Sequence, residues 1–154
     1  MLDKPQIVQT TAQITAAIHL TVPREDIQNV MGPAIGELMA AVQAQGISPI
    51  GPLLSYHLKR PCEVFDFEIS VPVSKPVTAV GRVKPGQLPA AKVARTVYRG
   101  PYEGLGEAWG EFMGWIATQG LPERDDLWEC YLKGPESGDD PAKWETELNR
   151  PLKG

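Results

Sequence analysis

The arrangement in this sequence best suited to chemistry is a carboxylate set among aromatic rings, Trp128-Glu-Cys-Tyr-Leu132. If the segment is a strand, alternation puts Glu129 and Tyr131 on one face and Trp128 and Cys130 on the other. A carboxylate beside aromatic rings attracts a flat cation, which gains ring contacts and an opposing charge. If buried, its pKa rises and it becomes able to take a proton from water. Taken alone, a strand glutamate is more often solvated. Tyr131 is then either a hydrogen-bond partner and pocket wall or a half-buried strand tyrosine.

Other aromatic residues could join such a site. Tyr98 and Tyr102 flank the Gly100-Pro101 turn and read either as pocket walls or as turn packing. Trp109 falls on an apolar helical stripe, which favours core packing, whereas Trp115 lies off the stripe and is free to face a groove. Trp144 precedes the last strand and either closes a pocket as a lid or covers an edge. Glu68 and Glu147 occupy matching places, which favours a structural role, and Glu37 and Glu111 read as solvated helical residues. His19 and His57 have no companions at ligand spacing, so no metal is expected. Cys62 and Cys130 read as ordinary reduced thiols. No nucleophile elbow, phosphate loop or dinucleotide fingerprint occurs, Gly104-Leu-Gly106 being only a helix entrance, and no cofactor is expected.

The elements that must position these residues follow from periodicity. Leu105, Trp109, Phe112, Met113 and Ile116 recur at helical spacing in residues 101–119, between Pro101 and Gly120. Ile27, Met31, Ile35, Leu38 and Val42 make a second stripe ended by Gly46, with Pro33 predicting a kink or a late start. Residues 53–59, 63–71, 91–98, 126–132 and 144–150 read as strands bounded by turn formers such as Arg60-Pro61. Residues 7–20 read as a first strand weakened at Thr10-Thr11-Ala12. Residues 74–88, with Pro76, Gly81, Pro85 and Gly86, read as a surface connector carrying no pocket residue.

Gly36-Glu-Leu-Met-Ala-Ala-Val-Gln-Ala-Gln-Gly46 and Gly110-Glu-Phe-Met-Gly-Trp-Ile-Ala-Thr-Gln-Gly120 match at a constant offset of 74. Downstream, Tyr56 answers to Tyr131, and Glu68-Ile-Ser-Val-Pro72 parallels Glu147-Leu-Asn-Arg-Pro151. The pattern predicts an α+β chain of tandem duplicated strand-helix-strand-strand units, 1–73 and 89–154, joined by 74–88. The units would share one antiparallel sheet, with two helices on one face, a central cleft and a pseudo-two-fold axis that sets Gly46 on Gly120.

Bulk properties narrow the partners. The 154 residues suit one domain, and 42% hydrophobic with 22% charged residues is ordinary for a globular chain. A net charge of −4 and no basic run longer than two residues give no nucleic-acid footprint. No signal-peptide pattern or bilayer-length apolar run occurs, which makes a cytoplasmic location the expectation.

Val97-Tyr-Arg-Gly-Pro-Tyr-Glu-Gly-Leu105, Trp128-Glu-Cys-Tyr-Leu132 with Pro135 and Pro141, Thr146-Glu-Leu-Asn-Arg-Pro-Leu152 and Phe67-Glu-Ile-Ser-Val-Pro-Val73 together resemble the GyrI-like small-molecule-binding domains. The resemblance covers nearly the whole chain. It implies a tandem strand-helix-strand-strand fold, found in the effector-binding halves of multidrug-responsive regulators and in free-standing proteins. The chain has no room for a helix-turn-helix, so it resembles the free-standing kind. Glu129 matches the family's pocket glutamate, which either neutralises a cationic ligand or serves as the catalytic carboxylate. The expected function is binding of a flat, apolar or cationic small molecule. The alternatives are a hydrolase opening cyclopropane-bearing toxins, with Glu129 and Tyr131 catalytic, and a protein-interaction module such as a gyrase modulator. The expected ligand-binding residues are Glu129 at the floor of the largest cleft with Tyr131, Tyr98, Tyr102, Trp115 and Trp144 around it.

Overall fold

The computed structural model describes residues 2–57, 63–134, 138 and 140–153. The Arg60-Pro61 turn, Cys62 and Pro135 lie outside the described residues. In chain order the elements are β1 (Gln6–Gln9), β2 (Gln13–Pro23), α1 (Ile27–Ala44), β3 (Leu54–His57) and β4 (Val64–Pro72). They continue with β5 (Val83–Leu88), β6 (Lys92–Arg99), α2 (Leu105–Thr118), β7 (Leu127–Lys133) and β8 (Glu145–Pro151). The fold is α+β: all eight strands form one antiparallel sheet in the order β1-β6-β8-β7-β3-β4-β2-β5.

Both helices form where apolar residues recur every three or four positions. Leu38 and Val42 of α1 pack on Ile18, Phe67 and Ile69, while Phe112 and Ile116 of α2 pack on Leu127 and Leu148. His57 pairs across the strands with both Phe67 and Leu127, so the two helices cover the same face. α1 has no late start; it runs through Pro33, whose exposed position leaves the freed carbonyl of Asn29 open to water. Gly46 (φ 67°) and Gly120 (φ 66°) end the helices in the left-handed region. Each donates its N–H back into the last turn, and the next residue does likewise, Ile47 to Val42 and Leu121 to Ile116.

The strand order reads the same from either end once each element is exchanged for its counterpart. The registers agree in detail. Ser55 pairs Ile69 and Glu129 pairs Leu148, so an offset of 74 in β3 and β7 carries β4 onto β8 at 79, the spacing of Glu68 from Glu147. Ala17 pairs Lys84 as Arg95 pairs Gln6, an offset of 78 for the outer strands. This register corrects one expected match. Tyr56 stacks on Trp128 on the face away from the helices, whereas Tyr131 bonds to Glu129 on the helix face. Residues on opposite faces cannot be equivalents in a relation that keeps both helices on one side. The counterpart of Glu129 is Ser55, and that of Tyr131 is His57.

The reading of residues 74–88 as a surface connector is also corrected. Residues 83–88 are β5, an edge strand paired to β2, and Val83 is fully buried in the α1 core. Pro85 and Gly86 are compatible with an edge, where ladder bonds on one side are not required. The single strand expected over 7–20 is broken at residues 10–12, which cross from one edge of the sheet toward the other. In a flat sheet β1 and β2 would stand roughly 29 Å apart, six spacings of about 4.8 Å. The connection spans at most about 14 Å, so the sheet must curl. It curls away from the helices, because Val8 of β1 and Leu88 of β5 reach one cluster with Leu54 and Trp128. The Thr10 hydroxyl ties the crossing, accepting from the Ala91 N–H at 3.0 Å and lying 3.2 Å from the Pro89 carbonyl.

Candidate functional site

At the seam between the halves, β7 and β3 present Glu129, Tyr131 and Ser55 to the helix face. The Trp109 indole N–H, descending from α2, donates to Glu129 Oε2 at 2.5 Å. The Tyr131 hydroxyl donates to Glu129 Oε1 at 3.1 Å and meets Ser55 Oγ at 2.6 Å. An aromatic path leads outward from there. Tyr102 sets its ring edge-on to Tyr131 with centroids 5.9 Å apart, and Trp144 lies 5.0 Å from Tyr102. The Trp144 indole N–H donates to the Gly138 carbonyl.

The electrostatics of this cluster are unusual for a glutamate. Burial raises the Glu129 pKa, and the bonds from Trp109 and Tyr131 lower it only in part. Burial, followed by the neighbouring carboxylate, holds the Tyr131 hydroxyl well above its ordinary pKa. No cationic side chain pairs with Glu129 among the described residues. Two neutral donors thus hold a desolvated carboxylate that lacks an opposing charge.

Of the expected site residues, Tyr131, Tyr102 and Trp144 gather at Glu129, and Tyr98 and Trp115 do not. Tyr98 is buried under α2, its hydroxyl donating to the Pro101 carbonyl at 2.8 Å. Trp115 stacks on Phe112 at the margin of the α2 core. Trp109 and Ser55 are the members that sequence reasoning missed. The helical stripe that marked Trp109 as core is correct, since the ring is buried, but only the packing of α2 on β7 aims its N–H at Glu129. Ser55 was within reach of the sequence, because the offset of 74 sets it against Glu129.

His57, two residues beyond Ser55 on the same face, is 5% exposed and stacks on Phe67. Its Nδ1 has no hydrogen-bond partner among the described residues, and burial lowers its pKa to about 4. Two hollows lie elsewhere. One of about 630 Å³ opens between Ala40, Ala41 and Ala44 of α1 and the Val80–Val83 segment, where Arg82 pairs with Glu37. The other, of about 200 Å³, lies on the concave face. Glu129 lines neither, and its two carboxylate oxygens are taken up by Trp109 and Tyr131. Residues 80–83 and 88 do line them, which corrects the expectation that the connector carries no pocket residue. No helix is long and apolar enough to cross a membrane among the described residues.

Solved structures share this architecture. The C-terminal domain of EcmrR is 22% identical over 97% of both chains, with a TM-score of 0.85. SAV2435 bound to tetraphenylphosphonium is 14% identical over 99% of this chain and 95% of that one, with a TM-score of 0.72. A hydrolase from Listeria innocua is 16% identical over 97% and 92%, with a TM-score of 0.68. In the EcmrR–DNA complex the chain spans 57% of the length of the matched protein. No curated protein matches the chain. The family model of the GyrI-like small molecule binding domain matches residues 3–153, and the chain, with its single curled sheet and paired helices, belongs to that family.

Proposed function

We propose that this domain binds bulky aromatic cations at Glu129, with Tyr131, Tyr102 and Trp144 as the ring surfaces and Trp109 and Ser55 fixing the polar floor. The observation that carries this reading is a desolvated carboxylate held only by neutral donors. An entering cation would supply the missing charge, and the rings would add cation–π and dispersion contacts. Tyr102 is partly exposed at the outer end of the aromatic path, so entry requires Tyr102 and Trp144 to part, a lid role for Trp144. SAV2435, of the same fold, is described with tetraphenylphosphonium bound. The palindromic sheet and matched registers support an origin by internal duplication, with β1 to β4 and β5 to β8 as the repeated units, so that the second unit begins at Val83 and not at 89.

Titration calorimetry with tetraphenylphosphonium tests the reading. Glu129→Gln is nearly isosteric and should weaken the cation by about 2–5 kcal/mol while leaving a neutral aromatic such as triphenylphosphine oxide nearly unaffected. Equal affinities of parent and variant for the cation would remove Glu129 from the site.

A second reading, a hydrolase, draws on the raised Glu129 pKa and the adjacent Tyr131 hydroxyl. Glu129 would take a proton from water as the water oxygen bonds to a strained ring carbon and a C–C bond of that ring breaks, its electron pair passing to a carbonyl conjugated with the ring, which then takes up a proton, with Tyr131 holding the carboxylate in place. On that reading Glu129→Gln abolishes turnover of a cyclopropane-bearing substrate and spares its binding. EcmrR is described in complex with DNA; this chain's charge pattern supports no nucleic-acid contact of its own.

A further inference from the structure

The concave face carries features that the Glu129 cluster does not use. Curling of the sheet brings Thr10 and Pro89 over the reverse side of β7, enclosing with Leu54, Leu88 and Trp128 the hollow of about 200 Å³. Arg95 and Glu147 form its polar end. Arg95 Nε donates to Asn149 Oδ1 at 2.7 Å and lies 3.4 Å from Glu147 Oε1. Asn149 is fully buried and donates in turn to Glu147 at 3.1 Å, so one edge of the guanidinium is anchored to a rigid point. The two terminal amino groups of Arg95 have no hydrogen-bond partner among the described residues. The repeat does not demand this charge, because the counterpart of Arg95 in the first half is Ala17.

We propose that this hollow is a second ligand site, distinct from Glu129, that takes a small apolar monocarboxylate. A carboxylate is the planar group that matches two terminal N–H donors side by side. Leu54, Leu88 and Trp128 supply an apolar wall for a body of about one ring. Glu147, on the anchored side of the guanidinium, keeps the empty site near neutrality and repels a second negative charge. It therefore selects monoanions over phosphate.

The probe is 3-phenylpropionate, followed by nitrogen-15 NMR of the assigned tryptophan indoles and backbone amides. Saturable shifts should centre on Trp128 and Leu88 and spare Trp109. The neutral isostere 3-phenylpropanol should bind at least about tenfold more weakly to the parent protein, and inorganic phosphate should not displace the acid. Arg95→Lys keeps the charge but loses the planar pair of donors, and should cost the acid about tenfold in Kd. Shifts centred on Trp109 and Tyr131, equal binding of acid and alcohol, or no saturation at millimolar concentrations would each overturn the proposal. The alcohol comparison needs no variant, so misfolding of Arg95→Lys would not shelter it. Loss of this site leaves the tetraphenylphosphonium result at Glu129 untouched.

Discussion

At Glu129, burial raises the carboxyl pKa while Trp109 and Tyr131 pull it down, and the balance sets what substitution does. A group whose pKa is raised on folding contributes stability that is full below its unfolded value and is lost as pH rises through the folded one. Glu129→Gln cannot ionise and still offers an oxygen to Trp109. It should melt a few degrees higher than the parent at neutral pH and converge with it near pH 4, as read by calorimetry across pH; about 1 kcal/mol corresponds to roughly 2–4 °C at this size. Binding of a cation follows the same titration. Affinity should climb with pH until Glu129 is ionised, and a flat profile in the parent protein would argue against a charge pair. His57 runs in the other sense. Its pKa falls from 6.5 to about 4 on folding, so the unfolded chain binds the extra proton and stability drops as pH falls across that window. The loss approaches roughly 3 kcal/mol. Urea unfolding of His57→Leu at pH 7 and pH 4.5 should show this component of the slope removed.

The elements impose their own constraints where backbone meets side chain. Gly104, in the turn that opens α2, lies against Tyr98, and a methyl group added there would stand only 2.1 Å from the Tyr98 hydroxyl. Gly104→Ala should therefore break the bond from Tyr98 to the Pro101 carbonyl and cost about 1–3 kcal/mol. The same change made in Tyr98→Phe should cost clearly less, because the hydroxyl is the closest obstacle. Additive losses in that double-mutant cycle would show that the strain lies elsewhere. Gly46 and Gly120 answer to a different demand, the left-handed backbone at the ends of α1 and α2. Alanine at either should cost about 1–2 kcal/mol, and by similar amounts, since both helices end in the same bonding pattern.

Across the whole molecule, the outer strands are exchanged. β1 precedes β2 in the chain but pairs with β6, and β5 precedes β6 but pairs with β2. Each half thus completes the other's edge, and the crossing is tied at Thr10. Removing residues 2–9 should strip the edge of the second half, so hydrogen exchange should speed up at β6 before β4. Exchange that rises first in the β2–β4 ladder would mean that β1 supports its own half instead.

Much of this organisation was legible in the residues, because it is written in local periodicity. The stripes of α1 and α2, the glycines that end them and the alternation of β7 each follow from geometry that a short segment carries by itself. The pairing of Glu129 with Tyr131 on one face needed only that alternation. Only the tertiary structure decided which face of β7 meets the helices, since Trp128 and Cys130 are as bulky as Glu129 and Tyr131. It likewise decided that Trp109 serves core and site together, that Tyr98 and Trp115 stay outside it, and that the segment expected as a connector supplies β5. The same holds for the hollow behind β7, which exists because the sheet curls until its edges meet. Those outcomes depend on contacts between residues far apart in the chain, as in the bond between Trp109 and Glu129 or the tie of Thr10 to Ala91. Periodicity carries no information about such distances, so the sequence determined the elements and their faces, while packing chose which of those faces became the site.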